Sequence, residues 1–183
     1  MLFPAIIQTL GLLTLVALAF AIVLIGALTI PAGREKVRSA FSDNERHPIG
    51  WAFGIALLAT MSSLYLSEIA HLQPCMLCWY QRIAMYPLVL ILGVGFALGD
   101  VGVWRYALPL SLIGLVISSY HVMLQIRPSL ELVPCTSGVP CSARLVAVFG
   151  FISIPVMAGS AFLLITALLF AVRTSSQAHA STT

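Results

Sequence analysis

Charged residues divide this chain into long apolar segments. The first charged residue is Arg34, and beyond it short polar connections alternate with uncharged stretches. A helix needs about 20 apolar residues to cross the hydrocarbon core of a bilayer, with a range of about 17–25. Five uncharged windows meet this requirement: residues 1–33, 48–67, 83–99, 106–126 and 145–172. The pattern therefore predicts an all-α membrane protein with five transmembrane helices.

Two of these windows need further interpretation. The third lies at the lower limit of length unless its helix begins near Met76, a start that places Arg82 inside the helix, less than two turns from its end. The first has no basic start, and its apolar stretch is about twice as long as that of a signal peptide. We interpret residues 1–33 as a retained transmembrane helix. Pro87, Pro109 and Pro155 fall within the predicted spans, where proline usually introduces a kink.

Basic residues are distributed unequally between the two sides that these helices define. One side, formed by the loops 31–47 and 99–105 and the C-terminal tail, contains six: Arg34, Lys36, Arg38, Arg46, Arg105 and Arg173. The loops of the other side contain Arg127 and Arg144. The positive-inside rule then predicts an outer N-terminus, a cytoplasmic C-terminus and all four cysteines at the outer face. On a bacterial cell membrane that face is oxidising, so disulfides persist there.

Composition excludes a water-soluble protein. Hydrophobic residues make up 60% of the chain and charged residues 8%, and the mean hydropathy is +1.04. A soluble domain has about a quarter charged residues. The net charge of +3 arises from residues that form no basic patch interleaved with aromatic residues, so nothing indicates a nucleic acid partner.

Cys75 and Cys78 form a C-x-x-C motif at the predicted start of the third helix. Unpaired N–H groups and the helix dipole stabilise negative charge there, which lowers the pKa of a thiol and favours the reactive thiolate. Pro74 suits the first turn of a helix. Arg82 lies at i+4 from Cys78 and shares its helix face, so it can stabilise a thiolate on Cys78 or an anion with which Cys78 reacts.

Cys135 and Cys141 form a second pair in an outer loop. Turn-forming residues (Pro134, Gly138 and Pro140) surround them, and a tight turn could bring their Cα atoms within the 4.4–6.8 Å that a disulfide requires. Exposed disulfides on short loops tend to be labile and catalytic. Two purely structural disulfides, a four-cysteine zinc site and plain buried cysteines are the competing interpretations. Zinc is disfavoured by the oxidising face and by the C-x₅-C spacing.

Other polar residues lie near the outer ends of the spans. His121, with Gln125 at i+4, is interpreted either as functional or as a hydrogen-bonded interfacial group. Glu68 and His71 are interpreted as an interfacial pair rather than catalysts. Trp79 is interpreted first as an aromatic anchor at the membrane interface, and second as a flank for a ring-shaped ligand.

Four segments together resemble the DsbB family of membrane thiol oxidoreductases, and the short C-x₅-C loop is most similar to the BdbC type of Gram-positive bacteria. They are CMLCWYQRIAMYPLVLILG, YHVMLQIRPS, VPCTSGVPCS and FGFISIPVMAGSAFLL. The resemblance covers roughly residues 48–172. Two features depart from the family: residues 1–47 add a span of unassigned role, and the loop between the second cysteines is shorter than in the proteobacterial type. The vitamin K epoxide reductase family has its cysteine motifs in the reverse order.

The resemblance implies a four-helix redox bundle (48–172), preceded by an extra helix and cytoplasmic loop (1–47) and followed by a polar cytoplasmic tail (173–183). It implies a quinone, ubiquinone or menaquinone, close to Arg82, His121 and Gln125. It also implies a soluble thioredoxin-fold thiol oxidase, similar to DsbA or BdbD, as partner. That partner would attack Cys135, whose loop mate is Cys141; Cys75 would exchange with the loop, and Cys78 would face the quinone. The alternative class is a small transporter or assembly factor with structural disulfides, which would have no need of Arg82.

Overall fold

The computed structural model describes residues 2–42, 46–131, 135 and 139–180. Six α-helices account for most of them: α1 (Leu2–Thr29), α2 (Pro31–Ser42), α3 (Arg46–Leu64), α4 (Met76–Leu98), α5 (Trp104–Ile126) and α6 (Ile154–Ala180). Within these described ranges five helices are long and apolar enough to cross a membrane, namely all but α2. The only strand-like pairing there is an isolated bridge between Val148 and Ile152. The prediction of an all-α membrane protein with five spans is confirmed.

Helices α3 to α6 form a bundle. Helix α3 packs against α4 and α6, and α5 packs against the same two helices from the other side. The interior is apolar and includes the buried side chains of Leu88, Leu92, Phe162 and Ile165. Helix α1 lies outside this bundle, where it packs against α6 and α2.

Many large apolar side chains point outwards. Leu90, Val94 and Val116 are exposed on the bundle surface, and Val23 is exposed on α1. In water such a surface would be costly, whereas lipid tails are as apolar as these side chains. The surface therefore agrees with a bilayer as the solvent.

Local sequence explains both ends of α4. Cys75 is its N-cap, and the Cys75 sulfur accepts a hydrogen bond from the Cys78 N–H. Gly99 ends it in the left-handed conformation (φ 67°), where its N–H bonds to the carbonyls of Gly95 and Phe96. Glycine adopts this conformation without the strain that a Cβ causes. The predicted helix start near Met76 is confirmed, and it fixes the C-x-x-C motif at the end of the bundle.

The fold differs from the sequence prediction in three segments. The loop 31–47 contains the helix α2, and α6 continues beyond residue 172 to Ala180. The fifth uncharged window was expected to be helical from residue 145, but α6 begins at Ile154. Residues before it form a turn with positive φ at Phe149 (53°) and Gly150 (79°). Pro155 consequently lies in the first turn of α6, at the start of the span Ile154–Ser176, where its missing N–H is not needed.

Candidate active site

All four cysteines lie in one cluster at one end of the bundle. Cys75 and Cys141 are buried there together with Leu124 of α5, and Cys78 and Cys135 pack against them as partly buried residues. The N-terminal part of α4 supplies the first pair, and the connection between α5 and α6 supplies the second. Two pairs more than fifty residues apart in sequence are thereby brought into one site.

The C-x-x-C cysteines are free thiols in direct contact. Their sulfur atoms lie 3.0 Å apart. The hydrogen bond with the Cys78 thiol, followed by the interactions with His121 and with the Cys78 N–H, lowers the pKa of the Cys75 thiol, against burial, which raises it. From the sequence, Arg82 was expected to stabilise either a thiolate on Cys78 or an anion with which Cys78 reacts. In the dithiol, these contacts favour ionisation of Cys75, with the Cys78 thiol as hydrogen-bond donor.

The second pair is a disulfide. Cys135 and Cys141 are bonded to each other, with Cα atoms 6.0 Å apart, as the tight spacing predicted. The Cys135 N–H donates to the Glu131 carboxylate at 2.9 Å, and the Ala143 N–H donates to the Pro140 carbonyl at 3.0 Å. The turn expected at Pro134 and Gly138 lies outside the described residues. Cys135 is the more accessible of the two cysteines, because Cys141 is buried.

His121 connects the two pairs. Its buried ring places Nε2 3.6 Å from the Cys75 sulfur and 3.1 Å from the Cys141 carbonyl oxygen. A carbonyl can only accept, so Nε2 carries a hydrogen in that contact. In the neutral ring Nδ1 then accepts, and it lies 3.1 Å from the Gln81 side-chain nitrogen, which donates. Gln81 thus fixes the tautomer that points an N–H towards Cys141 and Cys75.

Gln125 attaches the cysteine-containing connection to α5. Its amide nitrogen donates to the Ala143 carbonyl at 3.2 Å, and its side-chain oxygen accepts from the Ser153 hydroxyl at 2.6 Å. Arg144 donates to the Gln125 carbonyl at 3.3 Å. These bonds join both ends of the segment after Cys141 to the bundle, so Gln125 positions the loop disulfide.

Arg82 is held within the bundle by α3. Its guanidinium donates to the Ser63 hydroxyl at 3.0 Å and to the Ser63 carbonyl at 3.1 Å. It also lies 5.1 Å from the centre of the Trp79 ring, a cation–π contact. Trp79 itself is half exposed, as a residue at a membrane interface would be.

A cavity of about 650 Å³ lies beside the cysteines, between α1, α3, α4 and α6. Cys78, Gln81 and Arg82 line it, whereas Cys75, His121 and Gln125 do not. The last three line a second, small pocket that also borders Cys78. Cys78 therefore faces the large cavity on one side and the other cysteines on the other. Of the three residues expected close to a quinone, only Arg82 borders the large cavity.

The thiols and His121 also meet a geometric requirement for metal binding. The ligand atoms of Cys75, Cys78 and His121 lie within 4.8 Å of one another. The four-cysteine zinc site weighed above is a different arrangement. Cys135 and Cys141 are bonded to each other, so neither offers a thiolate to a metal.

Glu68 and His71 are exposed, and neither lines the large cavity or the small pocket. Glu68 belongs to a single π-helical turn, Tyr65–Ile69, that continues α3, and its carboxylate accepts from the Ser67 hydroxyl at 3.0 Å. Among the described residues, no salt bridge joins Glu68 to His71. Their interpretation as an interfacial pair stays a prediction.

Two residues of the site were missed in the sequence. Gln81 is a polar side chain inside an apolar span, and such a residue is a functional hypothesis by default, so a signal for it existed. The sequence contains no such signal for Ser63, because serine occurs widely in membrane helices and its partner Arg82 lies nineteen residues away.

Comparison with known proteins gives consistent matches. The family model "Disulfide bond formation protein DsbB" matches residues 45–172. The "Disulfide bond formation protein C" of Bacillus subtilis (strain 168) is 53% identical over 112 residues, which cover 61% of this chain and 81% of that protein. The "Probable disulfide formation protein C 2" of Bacillus anthracis is 47% identical over 125 residues, covering 68% of this chain and 89% of that protein. No solved structure gives a significant match.

Proposed function

Because this chain belongs to the DsbB family of disulfide bond formation proteins, we propose that it transfers electrons from a soluble protein dithiol to a quinone. The observation that carries the proposal is the position of Cys78. Its sulfur lies 3.0 Å from Cys75 in the four-cysteine cluster, and its side chain also lines the large apolar cavity. Electrons that enter through the loop disulfide can therefore leave towards the membrane.

In the first step a partner thiolate attacks the Cys135 sulfur of the loop disulfide. A bond forms between the partner and Cys135, and Cys141 leaves as a thiolate. The second partner thiol then attacks the partner's own bonded sulfur, which releases Cys135 and leaves the partner oxidised. The accessibility of Cys135 and the burial of Cys141 support this order of attack. The partner is a thioredoxin-fold protein with a reduced C-x-x-C dithiol.

In the second step the loop dithiol reduces a disulfide between Cys75 and Cys78. A loop thiolate attacks Cys75, and Cys78 leaves as a thiolate beside Arg82. The second loop thiol then attacks the loop cysteine that is bonded to Cys75, which re-forms the loop disulfide and releases Cys75. The His121 Nε2–H lies between Cys75 and the Cys141 backbone and stabilises the thiolate that arises there. Two electrons and two protons have then moved from one pair to the other.

The residues around the cavity fit a quinone. The cavity is large enough for a small-molecule ligand, largely apolar in its lining, and bordered by a thiol and a guanidinium. A bound quinone supplies the acceptor for the two electrons and two protons that are released when Cys75 and Cys78 return to a disulfide. Arg82 stabilises negative charge at this place, an effect that is stronger away from water. Ser63 and Trp79 hold the guanidinium in position.

In this proposal the multi-pass protein lies in a bacterial cell membrane, and its cysteines lie at the outer face. The excess of basic residues on the opposite side supports this orientation. A soluble partner meets the loop disulfide at the oxidising surface, and the quinone reaches Cys78 from the lipid. Both reactants thus meet the protein at one boundary.

The proposal is tested with the full-length protein in lipid discs, a reduced thioredoxin-fold protein and a quinone. Quinol and partner disulfide should form in equal amounts. With a partner whose second C-x-x-C cysteine is replaced by serine, the wild-type protein should accumulate a mixed disulfide between Cys135 and the partner, because no partner thiol remains to release Cys135. Cys141→Ser cannot form the loop disulfide that the partner attacks, so it should accumulate none. Cys135→Ser is the matched control and should accumulate none.

The alternative, a transporter or assembly factor with structural disulfides, predicts neither quinol nor a mixed disulfide. In that case the serine variants would only lower stability, by about 2–5 kcal/mol per lost bridge. That outcome would refute the redox function.

A further inference from the structure

Helix α1 lies across the large cavity from α3. It packs against α6 and α2, and the cavity occupies the space between it and α3. One stripe of α1 lines this space, at the i, i+3, i+7 and i+10 spacing of a single helix face: Leu10, Leu13, Ala17 and Phe20. Without α1, this side of the cavity would open to lipid along its whole length.

The contacts of α1 with the rest of the protein fix this wall. Ile7 is buried with Val148 and Ile152 of the turn before α6. At Gly11 a Cβ would lie 2.6 Å from Val148 Cγ1, so only glycine allows this close approach. Further along, Ala21 and Leu24 are buried in the main core cluster. The wall is therefore attached to the bundle above and below the stripe.

The cavity is elongated along the helices. On α3 its lining extends from Ser63, the partner of Arg82, to Trp51, a distance of about 18 Å at 1.5 Å per residue. Three hydroxyls in its wall are engaged: Thr14 donates to Leu10, Ser62 to Leu58 and Ser160 to Met157, each to a backbone carbonyl of its own helix. The Tyr86 hydroxyl, one turn from Arg82 on α4, is buried without a hydrogen-bond partner among the described residues. Apart from Tyr86 and the polar side chains near Arg82, the surface left towards an occupant is largely apolar, which fits a long apolar chain.

We infer that α1 forms one wall of a channel that binds the isoprenoid tail of the quinone. This inference rests on the proposed function, which brings the quinone ring to Cys78 and Arg82 at one end of the cavity. The tail then extends from there between α1, α3 and α6. The extra N-terminal helix accordingly makes the protein selective for long-tailed quinones, because tail surface buried against α1 adds affinity that a short-tailed quinone cannot gain.

The test uses Ala17→Phe, which fills the channel, with Ala19→Phe as matched control. Ala19 is exposed on α1 and absent from the cavity lining, and it lies about 200° around the helix from Ala17. Ala17→Phe should raise the KM for a long-tailed quinone about tenfold (about 1.4 kcal/mol), the effect of losing about 56 Å² of buried apolar surface. The KM for a short-tailed quinone should stay unchanged, and Ala19→Phe should match the wild type with both quinones.

A binding measurement independent of turnover uses a quinone with a photoreactive group at the end of its isoprenoid tail. Peptides from residues 10–20 should be labelled in the wild type and in Ala19→Phe, and labelled about tenfold less in Ala17→Phe. Labelling confined to α3 and lipid, or a phospholipid retained in the cavity of the purified wild type, would overturn the inference. So would an equal response of both quinones to Ala17→Phe.

These failures differ from failure of the proposed function. If the short-tailed quinone still oxidises the wild-type dithiol while α1 remains unlabelled, the redox function stands and the role of α1 is refuted. If neither quinone is reduced by the wild type, the redox function itself is refuted.

Discussion

At the scale of single residues, Arg82 shows how a charge is kept inside a membrane helix. A charged side chain in a span is costly unless it is paired or reaches water. Arg82 is paired with both the hydroxyl and the carbonyl of Ser63, and it stacks on Trp79. These contacts hold the guanidinium at the cavity rather than letting it extend to the membrane surface.

Removing the Ser63 hydroxyl should therefore weaken the proposed quinone site without abolishing it. Ser63→Ala leaves the bond to the carbonyl, so we expect the apparent quinone KM to rise about threefold to tenfold, the effect of one hydrogen bond of about 0.7–1.4 kcal/mol. Ser62→Ala is the matched control, because the Ser62 hydroxyl bonds to its own helix at Leu58. Steady-state kinetics with varied quinone concentration measure both.

Arg82→Lys extends the same argument. Lysine keeps the charge but lacks the planar fork that reaches two acceptors of Ser63, so activity should be only partly restored relative to Arg82→Ala. If Arg82→Ala reduced quinone with wild-type KM and kcat, Arg82 would be an interfacial residue with no part in the reaction.

The reactivity of individual residues could be predicted where their spacing in the sequence indicates it. The C-x-x-C motif at a helix start and the close second pair indicated two reactive pairs, and the structure brings them into one cluster. The contact of His121 with both pairs could not be predicted, because it depends on how α5 is rotated against α4. Gln81 could have been singled out as a polar residue in a span.

At the scale of elements, the spans followed from hydrophobicity, and the errors have identifiable causes. The length of an uncharged stretch shows how much of the chain lipid can surround, but it does not show at which residue a helix begins. The segment before α6 is uncharged but contains Gly150 at positive φ, which ends helical geometry. Helix α2 begins with Pro31, a common first residue of helices, so its start could have been predicted.

Packing between elements is close where glycine occurs at a helix contact. A Cβ on Gly114 of α5 would overlap the Phe162 ring of α6, whereas a Cβ on Gly54 of α3 would meet nothing within 4 Å. Gly114→Ala should destabilise the protein by about 1–3 kcal/mol through overpacking. Gly54→Ala, the matched control, should be neutral or more stable by up to about 1 kcal/mol, since alanine favours a helix.

Thermal unfolding in detergent compares the two variants. Equal melting temperatures for Gly114→Ala and Gly54→Ala would show that α5 and α6 do not approach each other as closely as described.

At the scale of the whole molecule, the spatial arrangement of the helices in the bundle could not be predicted from the sequence. Hydrophobic residues surround each span on all sides, so their pattern does not reveal which face meets a neighbour. The position of α1 against α6 illustrates this, since polar residues occur both in the cavity lining (Thr14) and among the exposed positions of α1 (Gln8 and Thr9). Contacts such as Gly11 with Val148 make this choice, and they appear only once the fold is known.

The orientation of the molecule in the membrane is the remaining prediction at this scale. It rests on six basic residues against two in the opposing loops. Ser39 on α2 and Ser129 in the turn after α5 are both exposed serines on the two opposite sides. In a background with the native cysteines replaced, Ser129→Cys should react with a membrane-impermeant thiol reagent in intact cells. Ser39→Cys should react only after the membrane is permeabilised.

Ser39→Cys also provides the internal control for accessibility, because its labelling after permeabilisation shows that the thiol is reactive. Labelling of Ser39→Cys in intact cells, with Ser129→Cys protected, would place the cysteine cluster on the cytoplasmic side. Thiols there are kept reduced, and a loop disulfide that depends on an extracytoplasmic partner could not be part of the reaction. The orientation therefore decides whether the proposed electron path from Cys135 to Cys78 can operate in the cell at all.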